Sequence, residues 1–317
     1  MSVESPVLFI VFNRPDTTAR VFSRIRDARP AKLFIAADGP RDTREGEAQL
    51  CAEVRQIATA VDWPCEVKTL FREKNLGCKY AVSSAITWFF EHVEEGIILE
   101  DDCEPAPDFF RFCDTLLAHY RHDTRIRHIG GSNLQHGRRR GDASYYFSRL
   151  SHVWGWATWR RAWKDYDVEL SAFSDEQIDA FVQNRFEPVT AHCWLEMIHG
   201  ARKGTLNTWD VQWVFTNWIH DALNIIPNVN LISNIGFDAR ATHTIEHCSN
   251  NAALSTGTLG PIIHPIVFAP TAEADAYTMD LDFNLLQRRR KADRLKYRLK
   301  RWLARHGGPS RWQRAGF

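Results

Sequence analysis

The sequence predicts a Rossmann-like α/β fold: a mixed, mainly parallel sheet flanked by helices, followed by a basic C-terminal helix. Three observations carry this. Short unbroken apolar runs recur, as strands buried on both faces require. Helical patterns separate them, which implies right-handed crossovers between parallel strands. Most of the runs close on a turn or a polar cluster.

Val7 to Phe12 is the first run, closed by Asn13-Arg14-Pro15, and the helix after it carries Val21, Phe22 and Ile25 on one face. Leu33 to Ala37 is the second, closed by Asp38-Gly39-Pro40, with a polar helix from about Thr43. Val67 to Phe71 reads as a third strand, followed by the turn Asn75-Leu76-Gly77 and a helix bearing Ala81, Ala85, Trp88 and Phe89. Gly96 to Leu99 is a fourth, running into Glu100-Asp101-Asp102. Beyond it the pattern loosens. Ile126 to Ile129 reads as a strand, and His136 to Asp142, with three consecutive arginines, as a mobile loop. Val153 to Trp218 reads as helical and tryptophan-rich. Ile225-Ile226 and Val229 to Ile232 read as short strands around Pro227-Asn228, and Leu285 to Ala304 as a basic amphipathic helix. This divides the chain into a domain over 1–283, in halves 1–125 and 126–283, and a tail over 284–317.

With 317 residues, 44% hydrophobic and 25% charged, the chain can bury a substantial core and is not a disordered polymer. Its net charge of +1 hides an asymmetry: from Phe283 onward twelve Lys and Arg face one acid, so the tail carries +11 and the body −10. An acidic body argues against a nucleic-acid partner and suits one that recruits a divalent cation. The seven cysteines are odd in number and irregularly spaced, without C-x-x-C, which argues against a disulfide framework and a thiolate zinc site. The expectation is a reduced, cytoplasmic chain. The N-terminus runs directly into a strand, with no leader pattern. No apolar run reaches the roughly 18 residues of a spanning helix.

In open α/β sheets ligands bind beyond the carboxyl ends of the strands. Those ends supply Asn13 and Arg14 after the first strand, Asp38 after the second, and Glu100, Asp101 and Asp102 after the fourth. No G-x-G-x-x-G or G-x-x-x-x-G-K-[ST] accompanies them, so neither a dinucleotide fingerprint nor a P-loop is present. Three adjacent acids repel one another and are best tolerated around a hard cation such as Mn²⁺ or Mg²⁺. A solvated acidic turn is the plainer alternative.

The stretch Ile97-Ile98-Leu99-Glu100-Asp101-Asp102-Cys103-Glu104-Pro105-Ala106-Pro107-Asp108-Phe109-Phe110 resembles the acidic motif and following helix of GT-A nucleotide-diphospho-sugar glycosyltransferases. The nearest resemblance is to the N-acetylglucosaminyltransferases that initiate complex N-glycans and to bacterial haemolytic-protein-like sugar transferases. Val7 to Arg14, Ala36-Ala37-Asp38, Trp154-Gly155-Trp156 and Trp209-Asp210 follow in the same order, over about residues 6 to 245. The resemblance implies a GT-A-like fold and inverting transfer from a UDP-sugar to a saccharide or glycoconjugate acceptor. By it Arg14 and Asp38 would hold the nucleotide, with Asn13 beside them and Asp38 on the base. Glu100 would touch the sugar, Asp101 the ribose, and Asp102 would be the single protein ligand of the metal. Trp209 would wall the sugar site and Asp210 would be the general base. The first half would bind the nucleotide-sugar and the second the acceptor. A non-catalytic saccharide-binding or scaffold protein of the same fold is the rival reading.

Other signals have plainer readings beside them. Eight of the 12 Trp lie between Trp154 and Trp218; helical spacing of Trp156, Trp159 and Trp163 argues for core, leaving roughly two of the eight for stacking on sugar. His243-Thr244-Ile245-Glu246-His247 matches H-x-x-E-H, but it falls in an irregular stretch rather than on the helix a zinc peptidase needs. A diphosphate contact through His243 or a plain loop histidine fits better. A helix N-cap is the plainer reading of Asp210, but Asn207 or Thr208 could cap equally well, which favours the base. The tail suits an interfacial helix on anionic lipid at the inner face of a membrane, or a helix packed on the acidic body.

Overall fold

The computed structural model describes residues 3–237 and 251–306. His243 with its H-x-x-E-H segment, Asp238 and Cys248 lie outside the described residues, as do the side chains of Leu299, Trp302 and Leu303. The chain opens with β1 (Val7–Val11), α1 (Pro15–Ala28), β2 (Lys32–Ala37), α2 (Glu47–Thr59), β3 (Glu66–Phe71), α3 (Gly77–His92) and β4 (Glu95–Glu100). There follow β5 (Cys103–Pro105), α4 (Pro107–Tyr120), β6 (Ile126–Gly130), β7 (Tyr145–Ser148), β8 (Trp156–Trp159) and α5 (Arg160–Trp163). Next come α6 (Asp175–Arg185), α7 (Pro188–Arg202), α8 (Asp210–Ile219), β9 (Leu223–Pro227), β10 (Ile232–Asn234), α9 (Ala272–Asp282) and α10 (Leu285–His306).

Eight of these strands form one sheet in the order β3-β2-β1-β4-β8-β6-β9-β7. β1 runs parallel to β2 and β4, β2 to β3, and β6 to β9. β8 is antiparallel to both β4 and β6, and β7 to β9. The architecture is therefore a mixed, mainly parallel α/β sheet of Rossmann-like, GT-A-like form. Every position of β1 is buried, so it had to read as a continuous apolar run. β3 lies at the sheet edge with one neighbour and is largely exposed, which is why its signal is weaker. Helices α1, α2 and α4 pack one face of the sheet. Helices α3, α5 and α8 pack the other. Helices α6, α7 and α8 share a further apolar cluster. Among the described residues no helix is long and apolar enough to cross a membrane.

The segment Val153 to Trp218 is not helical throughout, because Trp156–Trp159 is strand β8 in the middle of the sheet. Trp156 packs into the cluster on one face and Trp159 into the cluster on the other. A strand buried on both faces has no alternation, and two tryptophans three apart then mimic helical spacing. The arginine-rich loop, expected to be mobile, is tied down. The Arg140 guanidinium donates to Gln135 Oε1 at 2.6 and 2.8 Å, and its backbone N–H donates to Asn228 Oδ1 at 2.7 Å.

A buried histidine pair underlies the aromatic cluster. His128 on β6 is fully enclosed, stacks on Trp156 at 5.0 Å, and accepts the Trp213 indole N–H at Nδ1 (3.2 Å). Its proton must therefore sit on Nε2, which donates to the His152 carbonyl at 3.0 Å. Burial lowers His128 from 6.5 to about 3 and His152 to about 4. Between pH 6.5 and 4 the unfolded chain takes up protons that the folded chain refuses, so these rings weaken the fold on acidification. Buried acids such as Asp101 and Asp282, raised to about 7 and about 6, act in the opposite sense. A difference isolates the histidine: the stability advantage of wild type over His128→Gln should shrink by about 1.4 kcal/mol per pH unit as pH falls through this window. Urea unfolding at pH 7 and pH 5 measures it, and an unchanged gap counts against the buried neutral ring.

Candidate active site

The chain proceeds from β1 outward to β2 and β3, then returns to place β4 on the opposite side of β1. The two crossovers diverge there and leave a crevice beyond the carboxyl ends of β1 and β4. Phe12-Asn13-Arg14 leave one strand into it and Glu100-Asp101-Asp102 the other. A cavity of about 210 Å³ opens at this point, lined among others by Asp38, Arg41, Arg72, Glu100, Asp101 and Asn207.

The acids are held close together. Asp101 Oδ2 accepts the Phe12 N–H at 3.0 Å, joining the two strand ends. Asp102 Oδ2 stands 3.3 Å from Arg14 Nη1, which also donates to the Gly236 carbonyl at 3.4 Å. The short antiparallel pair β5–β10 anchors this corner, setting Cys103 opposite Asn234, and the Ile235 N–H donates to the Asp102 carbonyl at 2.8 Å. Burial, followed by the Asp102 charge, raises Asp101 to about 7. Burial raises Glu100 well above the ordinary carboxylate range, with Asp102, Asp101 and Asp210 adding to the effect. Positive charge here falls short of negative charge, and a bound cation would relieve the deficit.

Among the described residues no group of three or more His, Cys, Asp or Glu side chains is placed to hold a metal ion. The Asp102 side chain is 24% exposed, so this carboxylate could give one ligand to a cation otherwise completed by ligand oxygens and water. Gly236 forms part of this cradle: a Cβ there would stand 2.2 Å from Asp102 Oδ2 and 2.7 Å from Arg14 Nη1.

Other residues singled out from the sequence are placed differently. Asp38 is 7% exposed, and its carboxylate accepts the N–H groups of Gly39, Leu76 and Gly77 at 2.9, 3.0 and 3.1 Å and the Asn75 amide at 2.9 Å. It bolts β2 to the start of α3, and these bonds leave its oxygens little capacity for a base. Asn13 Nδ2 donates to Glu47 Oε1 at 2.9 Å; Glu47 also pairs with Arg41, which borders the cavity. Trp209 is 2% exposed and stacks on Trp156 at 5.6 Å inside the aromatic core, so it packs the core rather than walling an open site. Seven of the eight clustered tryptophans are buried in this way.

Asp210 is the first residue of α8, not its N-cap, which is Trp209. Its Oδ1 accepts the Val211 N–H at 3.0 Å and the Thr208 hydroxyl. It is close enough to Glu100 to raise that carboxyl, and it lines a second, larger cavity of about 1050 Å³. Asp210 thus belongs to the groove formed by the C-terminal half, with its charge felt by Glu100 in the crevice.

Arg41, Arg72 and Asn207 were not singled out for the crevice. Arg72 directly follows β3 and donates to Ser84 Oγ at 2.7 Å, so reading the end of the third strand would have found it. Asn207 accepts the Lys79 N–H at 3.0 Å, holding the first turn of α3 across the fold. No local signal marks that long-range contact.

No protein-family model matches the sequence, and no curated protein matches it. Solved structures do. A cytidylyltransferase from Leptospira borgpetersenii serovar Hardjo-bovis is 11% identical with a TM-score of 0.31, covering 52% of this chain and 64% of that one. HddC from Yersinia pseudotuberculosis is 9% identical with a TM-score of 0.30, covering 51% and 80%. Mouse xyloside xylosyltransferase 1, apo form, is 11% identical with a TM-score of 0.33, covering 69% and 82%. This chain thus spans less than two thirds of the cytidylyltransferase. These are distant likenesses, and the fold class stands on the strand order itself.

Proposed function

We propose that this chain is an inverting glycosyltransferase that moves a sugar from a UDP-sugar to a saccharide or glycoconjugate acceptor. The observation that carries the reading is Asp210, which lines the large groove while its charge acts on Glu100 of the crevice. Arg14, Arg41 and Arg72 gather at the crevice where a diphosphate would lie. Asp102 would hold Mn²⁺ or Mg²⁺, which neutralises the departing diphosphate when bound. In the reaction Asp210 accepts the proton of the acceptor hydroxyl as its oxygen bonds to the anomeric carbon, and the bond from that carbon to the diphosphate breaks to release UDP. Glu100 would position the sugar. Incubation of the full chain with a panel of UDP-sugars, followed by UDP release, tests this. Mn²⁺-dependent release from one sugar is expected; none from any, with no Mn²⁺-dependent UDP binding, favours the non-catalytic rival.

The cradle around Asp102 is open to a direct probe. Gly236→Ala should push apart the Arg14–Asp102 pair, because the added Cβ crowds Asp102 Oδ2 and Arg14 Nη1 and also meets Asp102 Cβ at 2.8 Å. Misplacement of this order should weaken Mn²⁺-dependent UDP binding about tenfold to a hundredfold, with little loss of thermal stability. Unchanged binding by calorimetry counts against the site.

The tail divides into two parts. Leu285 is buried, Arg288 pairs with Glu196 at 3.5 Å, and Arg289 reaches Asp280 and Glu187 at 2.8 and 3.2 Å. Further along, Leu295 and Tyr297 are 64% and 60% exposed among basic residues. The early turns pack on the acidic body, and the later ones suit an anionic membrane surface. A chain ending at Arg294 should keep its thermal stability and lose salt-sensitive binding to phosphatidylserine vesicles. Equal vesicle binding by both chains removes the membrane reading.

A further inference from the structure

We infer that the groove beside Asp210 binds an anionic amphiphile, so that the acceptor is a saccharide carried on a lipid phosphate. The inference rests on the transferase reading for the word acceptor, and on the groove alone for the ligand class. The groove runs between α7, α8, α9 and the start of α10, and its 1050 Å³ is at the upper end of what small-molecule sites enclose. Its floor is apolar, with Trp194, Met197 and Phe283 among its walls. Asp210 is among its lining residues.

Charge distinguishes this groove from a plain apolar cleft. Arg288 and Arg289 on α10 are engaged by acids of the body. Their neighbours Arg290, Lys291 and Arg294 line the groove, are exposed, and form no ion pair among the described residues. The acids of the same groove do not answer them. Glu196 is paired with Arg288, Asp282 is half-buried and accepts the Asn251 amide at 3.3 Å, and Asp210 accepts the Val211 N–H and the Thr208 hydroxyl. Three unmatched cations above an apolar floor are complementary to a ligand with both an anionic group and a hydrocarbon part. Source and surface agree, because α10 goes on directly to the exposed Leu295 and Tyr297 with their basic neighbours. The helix that rims the groove is the one suited to lie on a bilayer, from which a lipid-borne acceptor would arrive.

The test uses the full chain and dodecyl phosphate below its micelle concentration, with dodecyl maltoside and inorganic phosphate as comparators, read by calorimetry. Dodecyl phosphate should bind at least tenfold more tightly than either. Combined substitution R290A, K291A and R294A should weaken it tenfold or more, as should Met197→Glu within the groove, while Leu295→Glu outside it should not. UDP binding with Mn²⁺, measured on the same proteins, should be unchanged. Equal binding of dodecyl maltoside, or an unaffected triple variant, overturns the anionic site while leaving the nucleotide reading intact. Loss of binding in Leu295→Glu alone assigns the amphiphile to the outer face of the helix and also overturns the proposal. Amphiphile binding without any UDP binding upholds the groove and removes the transferase reading.

Discussion

Asp210→Asn is expected to lower turnover by about 100-fold or more with UDP affinity unchanged, since loss of a general base typically costs 10²–10⁴ in rate. The substitution keeps the shape of the side chain. The amide oxygen can still accept the Val211 N–H that Asp210 Oδ1 accepts at 3.0 Å, so the start of α8 should hold. What is removed is the carboxylate charge that would take the acceptor's proton at the groove. A helix N-terminus favours a carboxylate, and thermal unfolding of the variant reports any part of the effect that is structural. Near-wild-type turnover would falsify the assignment. The alternatives are less well placed: Glu196 lines the groove but pairs with Arg288, Asp221 is exposed and pairs with Arg149, and Asp238 lies outside the described residues.

Asp102→Asn is expected to abolish the gain in UDP affinity that Mn²⁺ confers and to lower transfer about 10²- to 10³-fold, the scale on which one preorganised electrostatic group acts. The structure adds a sign that a merely destabilised site would not show. Asp102 holds Arg14 at 3.3 Å, and the asparagine removes the charge from that pair, which weakens its hold on the guanidinium and leaves more of the positive charge for the phosphates. UDP binding without metal should therefore be retained or improved while the metal-dependent part disappears. Calorimetric titration of UDP with and without Mn²⁺ separates the two. Equal metal enhancement in variant and wild type removes Asp102 as the ligand.

The nucleotide-side architecture was legible because its strands are buried on both faces. β1, β2 and β4 could only be built from unbroken apolar runs, and the chain leaving them must turn polar at once, which placed Arg14, Asp38 and Glu100 to Asp102 at strand ends. The same burial hid β8, where two tryptophans on opposite faces imitated a helix. The basic helix was legible because its charges cannot be buried, whereas its division into packed and exposed turns depends on acids of α7 and α9.

By itself the sequence determined the alternating elements, the acidic strand end and the charge asymmetry, all properties of short segments. Only the tertiary structure decided which polar groups remain open to a ligand. Asp38 is saturated by the turn before α3, Asn13 is tied to Glu47, and Trp209 is enclosed by Trp156, while Arg41, Arg72 and Asn207 border the cavity. Each outcome depends on a partner from another part of the chain. Local pattern records whether a side chain is apolar, but hydrogen-bond capacity is assigned only when distant segments meet.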